Sequence, residues 1–592
     1  MATQVVDVFV DKANLIPKIY ELAASKARFI TITCKDLGDF FEVIYHFEED
    51  LKVINVRIKI GKNEVLPSIT TVYPCAFLAE NEIKDMFNLN IVGLNPDLGG
   101  KLLKTAEATQ TTLLKPAVGV QPPKFRVKAR CAQQCPAGID VPRYVRLISQ
   151  EKYMEAFQTI LEKAPFPAIL GRVCFAPCEE GCRQAKNGQP VSIRLLKRFV
   201  ADYVGIKKLN IKKSKSTGKK IAIIGAGPAG LTAAYYLGLL GHEVTVFDEL
   251  PKPGGAMFAY IPEYRLPKKI LEAEINARME EAEVELKLKR RIENLDTFLD
   301  EGYDAVFIAT GAHQDVRLGI EGEEHPKVLN CLQLLREVNV HGKKPKLGEK
   351  VVVIGGGNSA MDAARVSLRL GAKDVTVFYR RTRKEMPASP REVEEAEAEG
   401  VKFEFLVAPS KVLGGSSPVK MEFIRMKLGA PDASGRPRPE PIPGSEFTVE
   451  ADTFIKAIGQ VATAPKTSKL KLDRRGQIEV NPETLETNIR GVFAGGDVVT
   501  GPASVAEAVG AGWKAANIID RFLGGRGLKE YELAEELIPR IDVKEVLELS
   551  KVPVKLLPVE ERIKSFDEVE LGYSIDEAVR EAKRCWRCDW YE

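Results

Sequence analysis

The sequence predicts a multidomain α/β protein: a small α+β domain, then a helical cysteine-bearing domain, then two Rossmann-like dinucleotide-binding domains. Three observations carry that expectation. Two βαβ units of the same grammar begin at Lys220 and Lys350, five of the ten cysteines crowd between Cys131 and Cys182, and 592 residues exceed what one hydrophobic core holds. The usual domain size gives roughly three to five domains.

Residues 1–105 open with the amphipathic LIPKIYELAA and continue with FFEVIYHFE and VINVRIKI, which alternate apolar and polar residues as half-buried strands do. Residues 106–130, rich in Thr, Lys and Pro, carry little periodicity and read as a linker. Residues 131–205 are helical and end in VSIRLLKRFVADYVG; the basic stretch KKLNIKKSKSTGKK then leads into a buried strand. The first dinucleotide domain is expected over 219–345 and 455–525, the second over 346–454, and a polar tail over 526–592 closes on the short helix SIDEAVREAKRCWRC.

In KIAIIGAGPAGLTAAYYLGLLGHEVTVFDE, Gly225, Gly227 and Gly230 form a G-x-G-x-x-G turn that turns backbone N–H groups and a helix N-terminus toward a pyrophosphate. Asp248 ends the following strand, where a carboxylate accepts hydrogen bonds from an adenosine ribose. The second unit, KVVVIGGGNSAMDAARVSLRLGAKDVTVFYRR, has Gly355 and Gly357, with Ala360 in place of the third glycine. Arg380 and Arg381 stand where an acidic residue would otherwise sit, which favours NADPH over NADH because guanidinium groups attract a 2′-phosphate. A solvated strand end is the alternative reading of that pair, and NADH would then serve. Farther on, Asp497 ends the strand of GVFAGGD and precedes a helix rich in Ala and Gly.

The cysteines form two groups, Cys131 and Cys135 with Cys174, Cys178 and Cys182, and the C-terminal pair Cys585 and Cys588. Such clusters in a reducing compartment indicate metal or redox chemistry and not disulfides. The five histidines are isolated, so a His-rich zinc or iron site has no ligands to draw on. Five thiols in the first group are one too many for a single four-iron cluster and too few for two. Cys34, Cys75 and Cys331 have no cysteine neighbour at ligand spacing and read as small buried apolar residues. A net charge of +4, from 86 basic and 82 acidic residues, gives no reason to expect nucleic acid. The N-terminal stretch lacks the features of a signal peptide, and no run of about 18 apolar residues could span a bilayer, so a soluble, cytoplasmic protein without membrane insertion is expected.

GAGPAG, PGGAMFAYIPEYRLP, the ATG at 309–311, GGGNSAMDAARVSLRLGA, YRR, AIGQ and GVFAGGD stand in the order seen in the glutamate synthase small subunit family and its relatives. These include the NADP-reducing subunit of bifurcating transhydrogenases and the N-terminal half of dihydropyrimidine dehydrogenase. The resemblance covers about 125–592. It implies an NAD(P)H-dependent flavin and iron–sulfur oxidoreductase, with FAD on the first unit and NAD(P)H on the second. By the same resemblance Gly255, Arg265 and Gly496 join the flavin site, with Asp497 bonding the ribityl–phosphate region, and Asn358 joins the nicotinamide site. Hydride passes between the cofactors, so no catalytic acid or base is expected.

The family's helical domain normally holds two iron–sulfur clusters and begins with a C-x-x-C that is missing here before Cys131. EAKRCWRC at the other end looks like that missing piece. The tail is therefore expected to fold back so that Cys585 and Cys588 join Cys131 and Cys182 around one [4Fe-4S] cluster, leaving Cys135, Cys174 and Cys178 for the other. A cluster shared with a partner, or a frayed tail, is the competing reading of the C-terminal pair. Relatives often supply Gln or Glu as the second cluster's fourth ligand, but the matching residue is Lys197, whose ammonium cannot coordinate iron. Another group, a three-iron form or an open iron remain as alternatives, and Lys197 could instead stabilise negative charge.

Residues 1–105 resemble the 30 kDa subunit of respiratory NADH dehydrogenase and its counterparts in hydrogenase complexes, through an E-x-E-I-x-D-M-F core at Glu80, Glu82, Ile83, Asp85, Met86 and Phe87. That implies a docking module without a cofactor, inside a hetero-oligomeric complex. Its three carboxylates read most simply as a solvated or interface face. The implied partners are ferredoxin, or hydrogenase or dehydrogenase subunits. A true glutamate synthase small subunit and a non-catalytic scaffold are the alternatives.

Overall fold

The computed structural model describes residues 5–50, 52–99, 102, 125, 126, 128–187, 189–207, 209, 211–415, 418–432, 435–467, 469–528, 546 and 548–591. The expected linker at 106–130 lies outside the described residues except for 125, 126 and 128–130, as do 529–545 of the expected tail. The chain divides into two units, 1–125 and 126–591. Among the described residues no helix is long and apolar enough to cross a membrane.

In the first unit Val5–Val10 runs parallel to Lys52–Gly61, which pairs antiparallel with Phe40–Glu49, itself paired with Arg28–Asp36. Helix Leu15–Ala24 places Leu15, Ile19 and Leu22 on one face, against Tyr45, Phe47 and Ile58 of the sheet. Each such side chain contributes about 1.5–3 kcal/mol on burial.

Helix Phe77–Phe87 corrects one expectation. Of its carboxylates only Glu82 is exposed, while Glu80 and Asp85 are buried. Glu80 accepts bonds from the Ile69 N–H at 2.9 Å and the Ser68 hydroxyl at 2.5 Å, so it anchors a loop that folds over the helix. Cys75 is also exposed and Cys34 only half-buried, so of the three isolated cysteines Cys331 alone is a core residue.

In the second unit, helices Val141–Ser149, Tyr153–Leu161, Pro167–Val173 and Ile193–Val204 pack around an aliphatic core. Two parallel five-stranded sheets follow. The first runs Glu285–Lys287, Glu243–Phe247, Lys220–Ile224, Ala305–Ile308, Val492–Ala494. The second runs Val328–Asn330, Thr453–Lys456, Lys350–Ile354, Asp374–Tyr379, Lys402–Phe405. In each sheet the glycine-bearing strand is central, so its turn opens into the crevice where strand order reverses. The second sheet takes an edge strand from Val328–Asn330, before the boundary expected at 346. Antiparallel strands between Val407 and Ala451 form a small insertion, and Ala312–Asp315 pairs with Gln460–Ala462 where the chain passes between the two sheets.

The C-terminal segment returns to the helical domain. Helix Ile575–Lys583 starts at a capping box made by Ser574 and Glu577, and packs against helices Val141–Ser149 and Ile193–Val204. Glu581 accepts from the Ser192 and Val552 N–H groups, both at 2.8 Å, and pairs with Arg584 at 2.7 Å; Arg584 also donates to the Gln189 carbonyl at 2.7 Å. Both side chains are buried. Truncating one partner of a buried pair typically costs about 3–5 kcal/mol. Glu581→Ala is therefore expected to loosen residues 546–591 selectively, read as faster hydrogen exchange and proteolysis there with the two sheets unaffected.

Upstream, Glu570 lies among Arg194 at 2.5 Å, Arg391 at 2.9 Å and Arg198 at 3.4 Å. Burial opposes its charge, but the three guanidinium groups hold its pKa down at about 2. This cluster ties the segment to the helical domain and to helix Pro390–Ala398 beside the second sheet.

Candidate functional site

Strand Lys220–Ile224 ends at Gly225 and helix Pro228–Leu239 begins three residues later, with Pro228 at its first position, where a missing N–H costs nothing. The close turn demands glycine. At Gly225, φ is +115° and a Cβ would stand 2.3 Å from the Ala309 carbonyl oxygen; at Gly230 it would stand 1.9 Å from that of Gly225. Gly227 meets nothing within 4 Å, so its bare face opens into the cleft that it lines with Gly225, Gly255 and Asp497. Gly496 packs its backbone against Ala229 beside that cleft.

Asp248 borders the cleft and also braces the turn, since it accepts from the Ala226 N–H at 2.7 Å and from the Leu250 N–H at 2.8 Å. Burial raises its pKa above the ordinary value, and each carboxylate oxygen keeps a second lone pair for a ribose hydroxyl. Asp497 is different. Its Oδ1 is buried with no hydrogen-bond partner in the protein, and burial pushes its pKa up to about 6. An orphan acceptor beside a glycine floor and a helix N-terminus fits a flavin dinucleotide, whose ribityl hydroxyls and pyrophosphate supply the missing partners.

The second turn repeats the pattern. A Cβ at Gly355, φ +142°, would meet the Ala457 carbonyl oxygen at 2.1 Å, whereas Gly357 and Asn358 lie half-exposed at the start of helix Asn358–Arg369, where Asn358 accepts from the Ser389 N–H. Two of the arginines depart from expectation. Arg381 is 3% exposed, pairs with Asp432 at 2.6 Å and donates to the Pro437 carbonyl, so it pins the insertion; Arg380 alone is exposed at the strand end. Arg265 is held by Asp362 at 2.7 Å and Glu392 at 3.0 Å, away from the glycine cleft. Carboxylates of the protein thus engage both guanidinium groups.

The cysteines divide between two cavities of the helical domain. Cys131, Cys182, Cys585 and Cys588 line one; Cys135, Cys174 and Cys178 line the other, with Lys197 beside them. Burial and the neighbouring thiols raise the pKa of Cys131, and burial pushes that of Cys585 to about 12. Burial and Cys174 raise Cys178, against the pull of Lys197. Such thiols would ionise when iron displaces their protons, which are released to solvent. Among the described residues no three of these groups converge on a single-ion position, whereas the ligands of a four-iron cluster each bind a separate iron. The first cavity's donor set fits a [4Fe-4S] cluster in full and the second's is one thiolate short.

Residues not anticipated also border the flavin cleft. His313 follows the ATG turn, and burial lowers its pKa; Glu249 pairs with Arg291 at 2.9 Å and with Arg336 at 3.5 Å. The ATG motif was the available signal for His313. The Glu249 pairs join residues too distant in sequence for any local pattern.

Residues 219–512 match the pyridine nucleotide-disulphide oxidoreductase family, residues 126–209 match dihydropyrimidine dehydrogenase domain II, 4Fe-4S cluster, and residues 8–113 match the respiratory-chain NADH dehydrogenase 30 kDa subunit. The chain is 41% identical over 513 residues to the NADP(+)-dependent formate dehydrogenase subunit beta of Moorella thermoacetica, covering 80% of this chain and 72% of that protein. It is 39% identical to the NADPH-Fe(3+) oxidoreductase subunit beta of Geobacter sulfurreducens strain DL-1, covering 78% and 75%. It is 36% identical to the glutamate synthase [NADPH] small chain of Escherichia coli K12, covering 66% and 88%. FAD, NADP(H) and iron–sulfur clusters are the cofactors of this kind of enzyme, and the sites described above accommodate them. The chain thus belongs to the glutamate synthase small chain-like family of NAD(P)H-dependent flavin and iron–sulfur oxidoreductases, here joined to an N-terminal domain of the NADH dehydrogenase 30 kDa type.

Proposed function

We propose that this chain is the NADPH-handling subunit of a larger complex, in which electrons pass between NADP(H) and a dehydrogenase, hydrogenase or ferredoxin partner by way of clusters held by Cys131, Cys182, Cys585 and Cys588 and by Cys135, Cys174 and Cys178. The observation that carries the reading is the meeting of four thiols from both ends of the second unit in one cavity of the helical domain, which shares a hydrophobic core with the domain that bears the flavin cleft. A bound flavin would supply the conversion between two-electron hydride transfer and single-electron transfer to iron–sulfur clusters.

The chain's own groups bind and orient. Gly225 and Gly227 admit the flavin pyrophosphate, Asp248 and Asp497 accept from its hydroxyls, and Gly255 and Gly496 keep the floor free of side chains. Gly355, Gly357 and Asn358 form the corresponding start of a helix for the nicotinamide dinucleotide, and Arg380 meets its 2′-phosphate. A charge-assisted bond is worth about 1.5–3 kcal/mol. Arg380→Ala is therefore expected to raise the KM for NADPH about 10- to 100-fold and leave NADH unaffected. Arg381→Ala should lower stability without changing that selectivity, and steady-state kinetics with both nucleotides separate the two.

The N-terminal domain, matching the 30 kDa subunit over 8–113, serves as the docking module. The named relatives from Moorella and Geobacter are themselves beta subunits. The similarity to a glutamate synthase small chain supports a second reading, in which the partner is a glutamine-using large subunit; the added N-terminal domain has no evident task there. Anaerobic purification from the native host tests the choice. A co-purifying dehydrogenase- or hydrogenase-type subunit supports the first reading, and a glutamate synthase large subunit refutes it.

A further inference from the structure

The two thiol cavities are not equivalent, and the difference lies in one residue. Among the described residues that line the cavity of Cys135, Cys174 and Cys178, the only other side chains carrying nitrogen or oxygen are those of Tyr144 and Lys197; the rest of that wall is aliphatic or proline. The Tyr144 hydroxyl is committed to the Ile193 carbonyl at 3.0 Å. Lys197 is 5% exposed, and among the described residues its ammonium has no hydrogen bond or ion pair with protein. It lies on helix Ile193–Val204 between Arg194 and Arg198, both of which pair with Glu570, so of the three cations Lys197 is the one that lines the thiol cavity.

A buried ammonium needs negative charge beside it, which thiolates would supply, but it carries no lone pair for iron. A four-iron cluster on three thiolates leaves one iron without a ligand among the described residues. The cation lining the same cavity favours a small anion as the ligand that completes that iron. We propose that the cluster held by Cys135, Cys174 and Cys178 keeps one iron open to a small exogenous anion, hydroxide in water, which the Lys197 ammonium holds in place. The proposal rests on the reading that these three thiols bind a four-iron cluster. It involves ligand exchange only, with no change in oxidation state.

Cyanide is the probe. Full-length chain is prepared anaerobically, reduced with dithionite, and its cluster signals are followed by EPR as cyanide is added. One of two signals is expected to shift, and the other to stay unchanged. Lys197→Glu puts a carboxylate at the open corner and should retain iron while abolishing the cyanide shift. Lys197→Met keeps the corner open but should weaken cyanide binding about tenfold or more, the worth of a charge-assisted bond. Flavin content and the unshifted signal confirm that each variant is folded. The proposal is overturned if cyanide moves neither signal at full iron content, if Lys197→Glu responds as the parent does, or if a three-iron signal persists with excess ferrous ion. Iron at about four atoms per chain in the parent removes the underlying ligand reading, and the proposal with it.

Discussion

Replacing Cys585 and Cys588 together by serine is expected to cut iron from about eight to about four atoms per chain and to delete one of two cluster signals. Each serine substitutes a poor iron ligand at a position lining the first cavity, and Cys131 and Cys182 cannot hold a cluster alone. The loss should be local, because the Glu581–Arg584 pair and helix Ile575–Lys583 anchor the tail independently of the thiols. Flavin content and flavin bleaching by NADPH should therefore survive, while electron delivery to a one-electron acceptor falls. Unchanged iron would mean that the tail pair takes no part.

Gly230→Ala is expected to empty the flavin site. The added Cβ would stand 1.9 Å from the Gly225 carbonyl oxygen, and that atom belongs to the turn itself, so helix Pro228–Leu239 must shift or the turn must open. Forcing atoms into packed backbone costs about 1–3 kcal/mol even in tolerant cores. At roughly tenfold in affinity per 1.4 kcal/mol, such a shift at the pyrophosphate lowers flavin retention about 10- to 100-fold. Gly227→Ala is the informative control, because a methyl there meets nothing in the protein. Flavin loss in that variant reports the ligand's own approach, whereas normal flavin in Gly230→Ala contradicts the assignment of the turn.

These sites were legible to different degrees for physical reasons. The glycine turns show in the sequence because a strand, a φ > 0 position and a helix N-terminus must follow one another locally, at Gly225 as at Gly355. The cysteine grouping shows because thiol ligands recur at short spacings. Ion pairing over long separations leaves no such mark. Arg265 meets Asp362 and Arg381 meets Asp432, partners that only the tertiary fold brings within 3 Å, so in the sequence both arginines read as dinucleotide ligands. Glu80 illustrates the same limit, since its helix gives no hint that the Ser68–Thr70 loop folds over it. The boundary of the second sheet was missed because Val328–Asn330 is three residues long, too short for a periodicity to establish.

The relay from nicotinamide to iron is tested most directly by titrating anaerobic full-length chain with NADPH alone while following flavin absorbance and low-temperature EPR. One flavin and about eight iron atoms per chain, with bleaching of the flavin followed by reduced-cluster signals, is the result the site geometry predicts. A protein that binds flavin and oxidises NADPH yet holds under about one iron atom per chain would contradict it.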